Sequence, residues 1–488
     1  MTCRITCSVP ILLIVAFALG CTTAPPISDP TPTVSVPTPL AGPTPLPARS
    51  PHSPGELFDY SAQSGDTLSA LAAHFNTTVE EILTANPDLP SSITTLPPGY
   101  PMRIPVYYSP LTGSPFHILP DSEVVNGPSA VDFNISNEIR QRPGFLAGLS
   151  DFAYRRQREA WQVVDVIARN YSVNPRILLA LLEYRTQALT KPFPEGDEAD
   201  YPLGVVQPRY KGLFWQLIWA AERLNDGYYG WRTGILHEIE LTDGLLVRPD
   251  PWQTAGTVAL HMLFAGMYDL EDFNVAVSPD GFLYTYKQLW GDPFDLEVTL
   301  IPENLTQPDL TLPFIPNRIW AFIAGPHYGW GTSLPFGALD FGPPAEMGGC
   351  ISSAEWITAP TDGIIVRSDE ATITLDLDGD GDERTGWVLF FFHVATTDRI
   401  RQGAQVQRGD LLGHPSCEGG RATGTHLHLA RRYNGEWIPA GGTLAFVLSG
   451  WVADYGDQIY KGTLTKGSKI VQASEFSSSA SHIIYEFP

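Results

Sequence analysis

The chain has 488 residues, 43% of them hydrophobic, and a net charge of −23. One core does not organise that length, so roughly two to four domains are expected. The acidic residues are spread along the chain, which argues against nucleic acid and anionic membrane surfaces as partners and fits a solvated exterior.

The first twenty residues read as an address. "MTCR" supplies one positive side chain, Arg4, and "SVPILLIVAFALG" is an apolar run too short to span a bilayer comfortably. It ends in "ALGC", which resembles a bacterial lipoprotein signal, with Ala18 and Leu19 swapped relative to the commonest order. The resemblance implies that residues 1–20 are removed and that Cys21 carries a lipid. The protein would then be exported and lipid-anchored to the cell membrane or envelope. A plain secretory signal or an uncleaved anchor is the alternative. Of five cysteines, Cys3 and Cys7 leave with the signal and Cys21 takes the lipid. Cys350 and Cys417 remain, an even pair in an exported chain, and are expected to be bridged.

Residues 21–57 are dominated by Pro, Thr and Ser and can bury no core, so they form an extended stalk. Residues 58–106 follow a strand, helix, helix, strand order. Asp66 is placed to cap a helix bearing Leu68, Leu71, Ala72 and Phe75, and Thr78 to cap a second with Val79, Ile82 and Leu83. With "SGDTL" and "TANPDL", this βααβ unit resembles a LysM module. That implies binding of N-acetylglucosamine glycans such as peptidoglycan, through Gly65, Asp66, Thr67, Leu68 and Asn86.

Residues 126–300 read as a mostly α-helical domain. In "NPRILLALLE", Asn174 caps a helix that opens with Pro175. This segment distantly resembles the helix that carries the catalytic Glu of lytic transglycosylases. Aligned on "LLAL", however, Arg185 takes the acid's place, and Glu183 lies on another helix face. A lysozyme-like domain without its general acid is expected to cleave no glycan and to bind glycan or act as a spacer.

From residue 310 to 455, short β-rich bursts separated by Gly and Asp turns predict an antiparallel all-β domain. "DLDGDGDE", at 376–383, resembles a calcium loop, but Trp387 stands where an EF-hand needs its bidentate carboxylate, so an acidic hairpin turn is expected. In "TGTHLHLA", His426 and His428 alternate on a predicted strand and share one face. Together with "GDLLGH", the stretch resembles the "G-D-x-x-G … T-G-x-H-L-H" signature of lysostaphin-like and β-lytic zinc metalloendopeptidases, which cut peptidoglycan peptides. That family has a third His after an aromatic strand, and "WVLFFFHVA" supplies His393. It also has an upstream His and Asp. Phe336, four residues before Asp340, excludes the His-x-Gly-x-Asp spacing, whereas "GPHYGWGTSLPFGALDF" fits the long-loop β-lytic spacing, with His327 as the distant ligand.

The resemblance therefore implies one zinc ion held by His327, Asp340 and His428, which leaves an open position for water. His393 and His426 would be catalytic, taking the water's proton and stabilising the oxyanion. His414 is expected to be a bystander. Residues 456–488 carry no readable chemistry and are expected to be a tail. The composite expectation is an envelope zinc endopeptidase acting on peptidoglycan cross-links or stem peptides. The alternative is a catalytically inactive wall-binding lipoprotein, or an activator of other wall hydrolases.

Overall fold

The computed structural model describes residues 51–108, 113–345 and 347–486. The signal, Cys21 and most of the stalk lie outside the described residues. Among the described residues, no helix is long and apolar enough to cross a membrane.

At the N-terminal end, strands Glu56–Ser61 and Pro101–Val106 pair antiparallel, with Tyr60 opposite Met102. Helices α1 (Leu68–His74) and α2 (Val79–Ala85) lie between them. Leu71, Phe75, Ile82, Leu96 and Ile104 fill the small core. Thr78 caps α2 in a reciprocal box with Glu81, as the sequence implies. The cap of α1 is Thr67, whose hydroxyl accepts from Ala70 N. Asp66, the expected cap, instead accepts from the Tyr60 hydroxyl and from Gln63 N, both at 2.7 Å.

The middle region carries α3 (Ile135–Arg140), α4 (Ala160–Tyr171), α5 (Pro175–Thr186), α6 (Leu213–Arg232), α7 (Ala255–Ala265), α8 (Leu270–Ala276) and α9 (Phe282–Trp290). Asn174 caps α5 through Arg176 N, with Pro175 in the first turn. The closest helix pair is α6 with α7, and Gly227 permits it. A Cβ there would stand 2.7–2.8 Å from Met262 Cβ, Ala259 Cα and Val258 O. At the end of α5, both Glu183 oxygens accept hydrogen bonds from the chain that follows, from Leu189 N (2.8 Å) and the Thr190 hydroxyl (2.5 Å).

The β region is built on a nine-stranded antiparallel sheet. Its order is Gln405–Val406, Gly363–Asp369, Thr372–Asp376, Trp387–Phe392, Leu427–Tyr433, Phe336–Gly342, Ile319–Tyr328 and His482–Ile484, with Glu436–Trp437 branching from Leu427–Tyr433. The expectation of a C-terminal tail over 456–488 is corrected here. Trp451–Tyr455, Gly462–Lys466 and Lys469–Gln472 form a small sheet with Val447–Leu448, and His482–Ile484 closes an edge of the main sheet. Trp451, Ala453, Leu464, Val471 and Ile483 join the β core. The strands are short and spaced by polar turns, which hides their alternation in the sequence.

Alternation along the central strands makes two different faces. Leu339, Phe341, Leu389, Phe391, Leu427 and Leu429 face one β core. Ala338, Phe390, Phe392 and Ala430 face the other way and merge with the core of the helical region. The helices therefore cover part of one sheet face.

One residue ties the three regions together. Arg232, the last residue of α6, donates through Nη1 to Ser64 O of the small N-terminal unit. Its Nε lies 3.1 Å from Glu436 Oε1 of the β region, and its Nη2 lies 3.4 Å from Asp121 Oδ2. Its side chain is 8% exposed. Removing one partner of such a buried ion pair leaves the other charges uncompensated, at a cost of about 3–5 kcal/mol. Arg232→Met is therefore expected to lower the denaturation midpoint clearly. Adding Glu436→Gln should recover part of the loss. An unchanged midpoint in guanidinium denaturation of Arg232→Met would contradict this account.

Candidate metal centre

The strand Ile319–Tyr328 pairs with Phe336–Gly342 through three register shifts, around Ala324 and His327. Such bulges re-aim side chains. His327 consequently sits opposite Ala338, while Asp340 faces both Ala324 and, on its other side, His428. Phe392 is the cross-strand partner of His428, so His393 follows directly at the strand's end. His393 has φ +62°, a left-handed conformation that is uncommon outside glycine and recurs at functional sites. His426 stands just before its strand, bridged to Ser416.

Three atoms converge. His327 Nε2 is 3.2 Å from Asp340 Oδ1, His428 Nδ1 is 3.2 Å from the same oxygen, and the two nitrogens are 3.1 Å apart. His327 Nδ1 lies 2.9 Å from Gly325 O, and His428 Nε2 lies 3.0 Å from Gly329 O. A carbonyl only accepts, so those ring nitrogens carry the protons. The opposite nitrogens then aim lone pairs at the carboxylate oxygen. Three electron-rich atoms facing one another repel unless a cation stands among them. Asp340 Oδ1 is buried and has no hydrogen-bond donor. Two nitrogens and one carboxylate oxygen, each backed by a fixed carbonyl or a strand partner, are the donor set of a hydrolytic zinc site with an open position.

Beside this group, His393 Nδ1 donates to Glu418 O (2.7 Å) and His426 Nδ1 to Gly424 O (2.8 Å), which leaves Nε2 of each ring free. The two rings are 4.4 Å apart, and His426 Nε2 is 3.7 Å from Asp340 Oδ2. All five residues are between 4% and 9% exposed. Burial, reinforced by His426, pushes His393 down to about 3. Burial alone would raise the Asp340 carboxyl. The imidazoles of His327, His426 and His428 clustered around it hold it instead well below the usual carboxylate range.

His414 is not among them: it packs on Trp356 and bonds Glu355 O. One residue that no sequence pattern singles out is. Tyr460 lies in the segment expected to be a tail, with its ring 4.9 Å from that of His327 and 46% exposed. Burial and the charge of Asp340 raise its hydroxyl pKa. The 329–335 loop, between His327 and Asp340, is fastened to the helical region. Glu222 on α6 accepts from Thr332 N (3.1 Å) and its hydroxyl (2.8 Å), and Asp226 accepts from Leu334 N (3.0 Å).

Cys350 and Cys417 form a disulfide. It ties the loop after the Asp340 strand to the loop that approaches His426, where Thr425 N also donates to Gly349 O (3.0 Å). In the acidic turn, Asp376, Asp378 and Asp380 lie close together, and their carboxylates accept from the turn's own amides at Asp378, Asp380, Gly381 and Asp382.

The expected glycan residues fare unevenly. Asn86 is buried and works within the unit: its amide donates to Ile82 O and Arg103 O and accepts from Arg103 N. Leu68 is turned into the core of the unit. The Arg232 guanidinium lies where a side chain on Gly65 would point.

Residues 60–105 match the family described as LysM domain, and residues 117–303 match the family described as LasA, N-terminal domain. The chain is similar to protease LasA of Pseudomonas aeruginosa. It is 23% identical over 348 residues to the protein of strain PAO1 and 23% identical over 344 residues to that of strain UCBPP-PA14, spanning in both cases 62% of this chain and 77% of the relative. Among solved structures it is similar to the M23 metalloprotease pseudoalterin from the deep sea (23% identity, TM-score 0.30, 34% of this chain and 96% of that one). It is also similar to the catalytic domain of lysostaphin from Staphylococcus simulans (20% identity, TM-score 0.18, 25% of this chain and 90% of that one).

The disulfide spans 67 residues, and closing a loop of that size in the unfolded chain is worth about 4 kcal/mol. Replacing both cysteines by serine is expected to lower the thermal midpoint under non-reducing conditions. An unchanged midpoint would show that the bridge constrains nothing beyond the fold itself.

Proposed function

We propose that the β region is a zinc endopeptidase that cleaves peptide bonds in peptidoglycan, with the LysM module contributing affinity for the glycan. The same reading takes residues 1–20 as a signal that exports the chain and leaves it anchored through lipid on Cys21. The observation that carries this reading is the convergence of His327 Nε2, Asp340 Oδ1 and His428 Nδ1, with two further imidazoles presenting free nitrogens alongside. Similarity to protease LasA and the LysM match support the peptidase and wall-binding parts.

Zinc bound by His327, Asp340 and His428 supplies Lewis acidity and a nucleophilic water near neutral pH. The chain's own groups do the rest. Gly325 O and Gly329 O fix the tautomers of His327 and His428, so the lone pairs are aimed before any metal arrives. His393 and His426 keep Nε2 free and are held close together by Glu418 O and Gly424 O. One of them accepts the proton of the attacking water at Nε2 and then delivers that proton to the leaving amine. Burial keeps His393 neutral, with Nε2 able to accept a hydrogen bond. Tyr460, whose ring packs beside that of His327, would add a hydroxyl for the oxyanion.

The direct test is zinc content together with mass spectrometry of the products released from purified sacculi and defined muropeptides. One equivalent of zinc and new peptide termini are expected. His428→Ala should lose both metal and activity, since two ligands rarely retain a catalytic zinc. A full equivalent of tightly held zinc in that variant would refute the ligand assignment. His393→Ala and His426→Ala should retain zinc and lose about a hundred- to ten-thousand-fold in rate. Loss of zinc from His426→Ala with retention in His428→Ala would exchange their roles.

Tyr460→Phe should retain zinc and lose roughly tenfold or more in kcat, with little change in KM. Wild-type kcat in that variant would reduce Tyr460 to a wall of the cleft.

A further inference from the structure

The small N-terminal unit does not stand free at the end of its stalk. Two of its loops are bridged by the turn Ile301–Leu305, which leads from the helical region into the β region. In the loop before α1, the Ser64 hydroxyl accepts from Ile301 N (2.8 Å) and donates to Ile301 O (3.1 Å). In the loop after α2, the Thr95 hydroxyl donates to Pro302 O (2.8 Å) and accepts from Leu305 N (3.1 Å). Thr95 O accepts from Asn304 N (3.2 Å), and the Thr94 hydroxyl donates to Leu305 O (3.2 Å). The two loops are themselves neighbours, since Leu96 N donates to Asp66 O (2.8 Å).

The surroundings press the same face inward. The guanidinium of Arg232 covers Gly65, which adopts φ +80°. On α1, His74 stacks on Trp231 with ring centroids 3.7 Å apart, and its Nε2 lies 2.9 Å from Trp231 O. Phe58 stacks on Trp252 at 5.2 Å. The loop to which glycan binding is assigned, Gly65 to Leu68, is therefore the docked face of the unit, not its solvent face.

We infer that the Ile301–Leu305 turn and glycan are alternative occupants of this face, so that the full chain binds glycan only when the turn lifts away. This rests on the proposed reading of the LysM module as a binder of N-acetylglucosamine glycans. The chemistry of the two occupants matches. Ser64 and Thr95 each satisfy one amide N–H and one carbonyl of the turn, and an N-acetyl group presents the same pair, one N–H donor and one carbonyl acceptor. The turn continues directly into the β region, so displacing it couples wall contact to the connection between the helical and β regions.

Asn304 is the point at which to test this. It is exposed, it has φ +48°, and its N–H is bonded to Thr95 O. Asn304→Pro removes that donor and cannot adopt that φ, so it loosens the turn without opening a core. Chitohexaose is the probe. Its affinity for the full chain and for Asn304→Pro is measured by calorimetry, alongside hydrogen exchange at the Leu305 amide. The expected result is at least tenfold tighter binding by Asn304→Pro, and faster exchange at Leu305 in the wild-type chain when chitohexaose saturates it. Equal affinities, or wild-type binding with Leu305 still protected, overturn the inference. If Asn304→Pro frees the Leu305 amide and still binds no chitohexaose, the glycan reading of the module is what fails, and the competition falls with it.

Discussion

The antiparallel register that sets His428 opposite Asp340 is the constraint on which the rest depends. Side chains alternate across a sheet, so a slip of one residue sends every side chain of a strand to the other face. Here the two faces have different jobs. Leu427, Leu429, Leu339 and Phe341 are sealed in the β core. The residues between them, His428 and Asp340, face the side that the helical region partly covers. A slipped strand would put an imidazole and a carboxylate into an apolar core, with no partner for either, at a cost of several kcal/mol each. The same burial that stabilises the sheet therefore fixes the geometry of the proposed metal site.

The helical region does more than fill space. It shares a core with Phe390, Phe392, Ala338 and Ala430 on the site face of the sheet. Through Glu222 and Asp226 it also holds the long loop that separates His327 from Asp340. Gly329, whose carbonyl orients His428, belongs to that loop. Arg232 then joins this region to both neighbours through buried charge. The small N-terminal unit, the helices and the sheet are thus joined by buried charge as well as by apolar packing.

Much of this was legible in the sequence because the relevant patterns are local. The caps at Thr78 and Asn174 follow from residue type and position. The His426–His428 pair follows from strand alternation, and the Cys350–Cys417 bridge from counting. The unread parts depend on contacts that form only in the folded chain. Nothing local marks Tyr460, which reaches His327 only because the short C-terminal strands fold back onto the sheet. Asp66 looks like a helix cap until Tyr60 claims its carboxylate. Asn86 looks like a ligand-binding polar residue until the strand at Arg103 uses both ends of its amide. For Asp66 and Asn86, hydrogen bonding within the folded unit decides among roles that residue type leaves open.

The central claim is that two imidazoles and one carboxylate, with no sulfur, hold a single zinc ion in the β region. X-ray absorption at the zinc edge of the purified full chain tests it most directly. The account predicts one zinc per chain in a first shell of nitrogen and oxygen at about 2.0–2.2 Å, with scattering from two imidazole rings. A sulfur shell near 2.3 Å, or a chain that takes up no stoichiometric zinc, would contradict it.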